Sequence, residues 1–201
     1  MVLTDQKLGH NAHIFCTYNP QLIPETTPTL CLVNQHHSNL VCEASERCLP
    51  LADAHFSSQN NQSLGVKTAD CIPILVSHHD DPWIAAIHAG WRGLTSGIIA
   101  KTIQHAPSNK CSAWIGPHIC AQHYDVPIEF AAKYFDSKHW EQTTDERTHI
   151  NLKSSAKEQL STLGISNIID SGVCTFCHPK TPSFRRNKTT DRLMSIIWRD
   201  E

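Results

Sequence analysis

The chain has 201 residues, 40% of them hydrophobic and 18% charged, with a formal net charge of -2. That length suits a single domain over 1–201 with a real core. The charge balance excludes the basic stripe that holds a nucleic-acid backbone, and no run approaches the roughly 20 apolar residues of a membrane span. The expected partner is a small-molecule substrate, with neither nucleic acid nor membrane, and the oligomeric state stays open.

Met1–Cys16 lacks the basic start and apolar run of a signal peptide, so a cytoplasmic location is expected. Nine cysteines would suggest disulfides in an exported chain. In the cytoplasm they stay reduced, most of them as small buried hydrophobes. Among 14 histidines, His10, His13, His105, His139 and His149 have polar neighbours and read as solvated surface imidazoles.

Residues 19–29, rich in Pro and Thr, read as an irregular connection. Residues 30–33 form a short strand, Asp53–Phe56 begins another, and 59–63 is a polar turn. The β-branched run 72–76 is a buried strand, 77–82 a turn and 83–87 a second strand. Gly90 and Gly93 then break the pattern. Leu94, Ile98, Ile99 and Ile103 recur at helical spacing and predict an amphipathic helix over 94–105. Ser112–Ile115 is a strand stopped by Gly116 and Pro117. Pro127 opens a helix as its first residue, with Ile128, Ala131 and Phe135 inside. Leu152, Ala156, Leu160 and Leu163 mark another helix, ended by Gly164, and 165–169 is again a strand. Strands and helices alternate without a strict βαβ rhythm, which predicts a mixed-sheet α+β domain.

A hairpin centred on His79–Asp80 pairs residue 71 with residue 88. Opposed residues have Cβ atoms about 4.5–5.5 Å apart, a spacing at which a thiolate and an imidazole can share one zinc. The alternative for each alone is ordinary: a packing cysteine and a hydrogen-bonded histidine. A third ligand is expected from Gln35-His36-His37. Neighbouring strand residues point to opposite faces, so at most one of His36 and His37 faces the metal, and the pattern does not say which. Three protein ligands leave one position open, as in catalytic zinc sites. A rival reading makes Cys71 a nucleophile with His88 as its base, a cysteine hydrolase or amidase.

Arg92, four residues past His88 and near a predicted helix start, is a candidate anion contact in substrate binding. Arg185, Arg186 and Arg192 are further cations, and Asp70 either orients a ligand or fixes the turn before its strand. Cys174-Thr-Phe-Cys177-His178 matches the haem-attachment pattern, but that chemistry goes with export. A second zinc site would need two more ligands, none evident in the sequence, so buried thiols are expected there.

Thr68-Ala-Asp-Cys-Ile-Pro-Ile-Leu, Ile87-His-Ala-Gly-Trp-Arg-Gly, Ile115-Gly-Pro-His-Ile and Tyr124-Asp-Val together resemble the YfiH-like family. It is also called the multi-copper polyphenol oxidase or laccase-domain family, and its members are described as purine nucleoside phosphorylases. Asp53-Ala54, Asn151-Leu152, Cys174-Thr175 and Phe184-Arg-Arg extend the resemblance over roughly 32–192.

The resemblance implies a mixed β-sheet sandwich flanked by helices, a fold also seen in a bacterial toxin deamidase. It implies a metal held by His37, Cys71 and His88, with Cys71 and His88 catalytic. Zinc is the expected metal, with copper as the alternative that the older name suggests. The implied reaction is phosphorolysis of adenosine, inosine and methylthioadenosine to free base and the sugar 1-phosphate, with adenosine deamination as a further activity. Trp91 would pack under the turn rather than stack on a purine. The family's Gln-Val-His-Gly reads Gln35-His36-His37-Ser38 here, its Thr-Gly-Arg reads Thr190-Asp191-Arg192, and its N-terminal motif is not recognisable in 1–29.

Overall fold

The computed structural model describes residues 1–9, 12–44 and 49–199; His10 lies outside them. At the N-terminus β1 (Val2–Leu8) pairs antiparallel with β2 (Ala12–Thr17). The short strands β3 (Thr29–Cys31), β4 (Val41–Glu43) and β5 (Ala54–Ser57) precede β6 (Gln62–Thr68). The central hairpin is β7 (Ile72–His78) and β8 (Ile84–Ala89), followed by α1 (Trp91–Thr95) and α2 (Ile98–Ile103). Next come β9 (Cys111–Ile115), β10 (Asp125–Pro127), α3 (Ile128–Tyr134), β11 (Trp140–Gln142) and β12 (Arg147–Ile150). The chain closes with α4 (Leu152–Thr162), β13 (Asn167–Asp170), α5 (Phe184–Asn187) and β14 (Leu193–Arg199).

Two large sheets face each other. One has the order β1-β2-β14-β6-β3, the other β13-β9-β7-β8-β5-β4, and a small third sheet runs β10-β12-β11. Both large sheets mix parallel and antiparallel pairs, so the fold is the mixed α+β sandwich expected.

Alternation along β7 and β8 builds two cores from one hairpin. Leu75, Ile84 and Ala86 join Leu64, Val66 and Ile197 between the large sheets. Ile72, Ile74, Val76, Ala85 and Ile87 face the other way, onto Leu94, Ile98, Ile99 and Leu160 of the helices. Ile72, Ile74, Leu75 and Val76 are fully buried, and each such side chain contributes about 1.5–3 kcal/mol. His88 has the parity of Ile84 and Ala86, which turns it toward the opposite sheet at the hairpin's open end.

Several expectations need correction. Gln62 and Ser63 belong to β6 rather than to a turn. The helix over 94–105 is two short helices, broken at Gly97, whose φ of 82 takes the chain left-handed. Pro127 ends β10 and caps α3, which starts at Ile128. His139 is buried, bonded to Ser154 and Glu158 at 2.8 and 2.6 Å, so it is no surface imidazole. Asn151 caps α4 by accepting from the Ser154 N–H at 3.0 Å, and Gly164 ends it with φ 84. Among the described residues no helix is long and apolar enough to cross a membrane.

Candidate active site

The hairpin is two residues out of the expected register. Pro73, not Cys71, lies opposite His88, and Ile72 lies opposite Ala89. The cause is the loop: β7 continues to His78, whose N–H bonds the Trp83 carbonyl at 3.0 Å, so four residues make the turn instead of two. Cys71 therefore sits just outside β7. Asp70 before it has φ 82, a left-handed turn that returns the thiol toward His88.

The ligand atoms of His37, Cys71 and His88 lie within 4.8 Å of one another, and the two imidazoles meet edge to face at 4.8 Å between centroids. A Cβ on Gly90 would stand 3.1 Å from the Cys71 Sγ and 3.1 Å from a His37 ring carbon. The absence of a side chain at 90 is what lets the three groups converge.

Asp53, at 0% exposure, organises this cluster. One carboxylate oxygen accepts from His88 Nδ1 at 2.8 Å and from the His37 N–H at 2.9 Å. The other accepts from the N–H groups of His36 and Ser38 at 3.2 and 2.6 Å and from the Ser38 hydroxyl at 2.6 Å. These bonds shape the loop carrying His37, whose own φ is 60, and they leave His88 Nε2 to face the thiol. His36 is exposed and outside the cluster. Loop geometry, not the strand alternation invoked above, turns the two neighbours apart. Serine in place of the family's glycine at 38 adds a donor to Asp53.

Burial alone would raise the Asp53 carboxyl. Hydrogen bonds from His88, Ser38 and the backbone outweigh it and hold the group well below the usual carboxylate range. Burial likewise opposes charge on Cys71, yet hydrogen bonds from His37 and His88 bring the thiol down to about 6. His88 is lowered by burial but raised more by Asp53 and Cys71, to about 9.

The cluster forms part of the wall of a cavity of about 530 Å³. Its apolar walls include Val33, Leu49, Ile119, Tyr124 and Phe184, and its cations are Lys67, Arg185 and Arg192. Asp70 ties two walls together, accepting from the Thr175 hydroxyl and the Arg185 N–H, both at 2.6 Å. Arg185 lies 5.0 Å over the Tyr124 ring and donates to the Asp125 carbonyl at 2.8 Å. Burial pushes the Tyr124 phenol up to about 12. Arg92 is exposed, does not line the cavity, and rests 4.5 Å over the ring of Trp91. Trp91 packs on Phe130 and Tyr134 at 4.7 and 4.9 Å, the packing role expected. Arg186 donates to the Thr175, Phe176 and His178 carbonyls at 3.0, 2.7 and 3.0 Å, which makes it part of a cavity wall's support.

The thiols of the haem-like motif do not follow expectation. Cys177 is exposed, Cys174 is half-buried, and Cys120 and His123 join them in a second cluster, the two further ligands that the sequence did not reveal.

The sequence pattern of the multi-copper polyphenol oxidoreductase laccase family matches residues 10–200. The chain belongs to this family. The match takes in β2 but not β1, so the family pattern extends into the segment where its motif is not legible. A purine nucleoside phosphorylase of Aquifex aeolicus is 33% identical over 81% of this chain and 79% of its own length. Purine nucleoside phosphorylase YfiH of Escherichia coli is 32% identical over 73% of this chain and 63% of its own. A crystal structure of a Neisseria meningitidis protein superposes with TM-score 0.78 at 29% identity, covering 87% of this chain and 76% of that one. YfiH of Bacillus licheniformis shares the fold at TM-score 0.79 and 24% identity, over 86% and 76% of the two chains.

Proposed function

We propose that this protein is a zinc-dependent purine nucleoside phosphorylase acting on adenosine or inosine, and on methylthioadenosine. The observation that carries the reading is a soft metal-ligand cluster in the wall of a cavity that has apolar walls and three cations. Relatives bearing the name purine nucleoside phosphorylase support the reaction class.

The donor set suits zinc: one thiolate and two imidazoles, with Asp53 holding His88 in the tautomer that presents Nε2. Copper is the alternative metal for the same donors. Held by these residues, the metal would supply a Lewis acid at the cavity wall.

In phosphorolysis the bond from the sugar C1′ to the base breaks as a phosphate oxygen forms a new bond to C1′. The base leaves with the electron pair and takes up a proton. This chain's residues would divide the work by chemistry. Leu49, Phe184 and Tyr124 offer apolar surface to the base, and Arg185, Lys67 and Arg192 offer charge to phosphate. The Tyr124 phenol keeps its proton at neutral pH and can donate a hydrogen bond. Arg92 is proposed as an outlying anion contact, acting from beside Trp91.

The test is release of free base from inosine or adenosine with and without phosphate. Release only with phosphate is expected, with Cys71→Ala and His88→Ala each reducing it at least about 100-fold. Arg185→Ala should raise the KM for phosphate more than Arg92→Ala does, because Arg185 lines the cavity. Conversion of adenosine to inosine without phosphate would assign deamination instead. One observation favours a second reading: Asp53, His88 and Cys71 align as an acid, an imidazole and a thiol of lowered pKa, as a cysteine hydrolase requires. Amide cleavage by the metal-stripped protein, with no nucleoside turnover by the metal-loaded one, would establish it.

A further inference from the structure

The second thiol cluster is built by sheet topology. β9 and β13 are parallel neighbours, with Asn167 to Asp170 beside Ser112 to Ile115. Both strands thus leave the sheet at one end. Their continuations stay paired: His118 bridges Cys174, the His118 N–H bonds the Val173 carbonyl at 3.2 Å, and the Thr175 N–H bonds the His118 carbonyl at 3.0 Å. That pairing brings Cys120-Ala-Gln-His123 against Cys174-Thr-Phe-Cys177, fifty-odd residues away in the chain.

The side chains converge. His123 Nδ1 lies 3.0 Å from the Cys120 Sγ and 3.4 Å from the Cys177 Sγ, and those sulfurs are 4.0 Å apart. All four ligand atoms fall within 4.8 Å of one another. Tetrahedral zinc with Zn–S near ~2.3 Å and Zn–N near ~2.0–2.1 Å spaces its sulfurs about 3.8 Å apart and sulfur from nitrogen about 3.5 Å. The pairs given lie within about half an ångström of that spacing. The Cys174 Sγ accepts N–H groups from Cys120 and Cys177 at 3.2 and 3.4 Å, bonds that suit a thiolate. The His123 ring stacks on Phe176 at 4.1 Å, which fixes its direction.

We propose that Cys120, His123, Cys174 and Cys177 bind a second, structural zinc ion. Three thiolates and an imidazole are a complete tetrahedral set with no open position and no carboxylate, which favours zinc over harder cations. The site lies apart from the cavity cluster but braces it. Tyr124, next to His123, lines the cavity, and Thr175, next to Cys174, holds Asp70 beside Cys71. A zinc here would clamp the loop after β9 to the loop after β13, and so two of the cavity's walls.

The proposal is tested on the full-length protein, purified without chelator, by metal analysis and zinc X-ray absorption. Two zinc ions per chain are expected in the wild type. Cys177→Ser and Cys174→Ser should each leave one. His88→Ala should also leave one, and its spectrum should then show three sulfurs and one nitrogen. Circular dichroism of Cys177→Ser, the most exposed ligand, separates loss of the site from loss of the fold. Zinc content unchanged in both cysteine variants of a folded protein would overturn the proposal. So would a Cys120–Cys177 disulfide in the purified chain, which needs the sulfurs at about 2.05 Å and would remove two ligands. Neither result bears on the cavity site, whose metal is counted separately in His88→Ala.

Discussion

Asp53 shows how one buried carboxylate can organise a site without lining its cavity. It receives four donors from the loop at 36–38 and one from His88. Asp53→Asn keeps the shape but loses the charge and forces one amide N–H against donors. A loss of about 2–3 kcal/mol in urea unfolding is expected, with metal affinity at the cavity site falling about 10–100-fold. The pH dependence has a definite sign. A carboxyl held below its ordinary value stabilises the fold above about pH 4 and loses that contribution as pH falls toward its folded pKa. Wild-type stability should therefore decline steeply below pH 4, and the Asn variant should show a shallower acid limb. Equal losses of unfolding free energy between pH 5 and pH 3 in wild type and Asp53→Asn would contradict this. Gly90 has ordinary φ of -66, so Gly90→Ala strains no backbone. Its methyl would press on Cys71 and His37 at 3.1 Å, and metal affinity should fall while the melting temperature changes little.

At the scale of elements, the apolar runs at 72–76 and 83–87 announced the central hairpin, and the Leu152 to Leu163 stripe announced α4. The register was not legible, because nothing in Ser77-His-His-Asp-Asp-Pro distinguishes a two-residue turn from the four-residue one that forms. β6 was missed although Leu64 and Val66 alternate correctly, since Gly65 and the flanking polar residues dilute the signal. β14 was left unassigned because its partners β2 and β6 lie more than a hundred residues away, in no local window; β1 and β2 form a local hairpin, but the polar residues of β1 hide it. Gly97, inside an otherwise continuous apolar stripe, marks the break between α1 and α2. A Cβ there meets nothing within 4 Å, so Gly97→Ala should cost only the left-handed penalty, about 1–2 kcal/mol. A thermal melt would reveal a larger loss if the break were also sterically enforced.

Across the whole molecule, the two candidate metal clusters differ in how they could be read. His37, Cys71 and His88 stand in motifs of a recognisable family, and the inferred hairpin already put the latter two at one end, although its register was two residues out. Asp53 carried a weaker signal, an acid at the start of an apolar strand. The Cys120–His123 pair and the Cys174–Cys177 pair become one cluster only through the parallel pairing of β9 and β13, which the sequence does not display. The same sandwich brings Lys67 from β6, Arg185 from α5 and Arg192 before β14 around one cavity, and this arrangement underlies the proposed reaction. The most direct test uses phosphate labelled with oxygen-18 at all four positions, inosine, and mass spectrometry of the sugar product. A pentose 1-phosphate retaining all four labelled oxygens is expected, because the new C1′–O bond takes its oxygen from phosphate. Free pentose carrying solvent oxygen, formed at the same rate without phosphate, would contradict it.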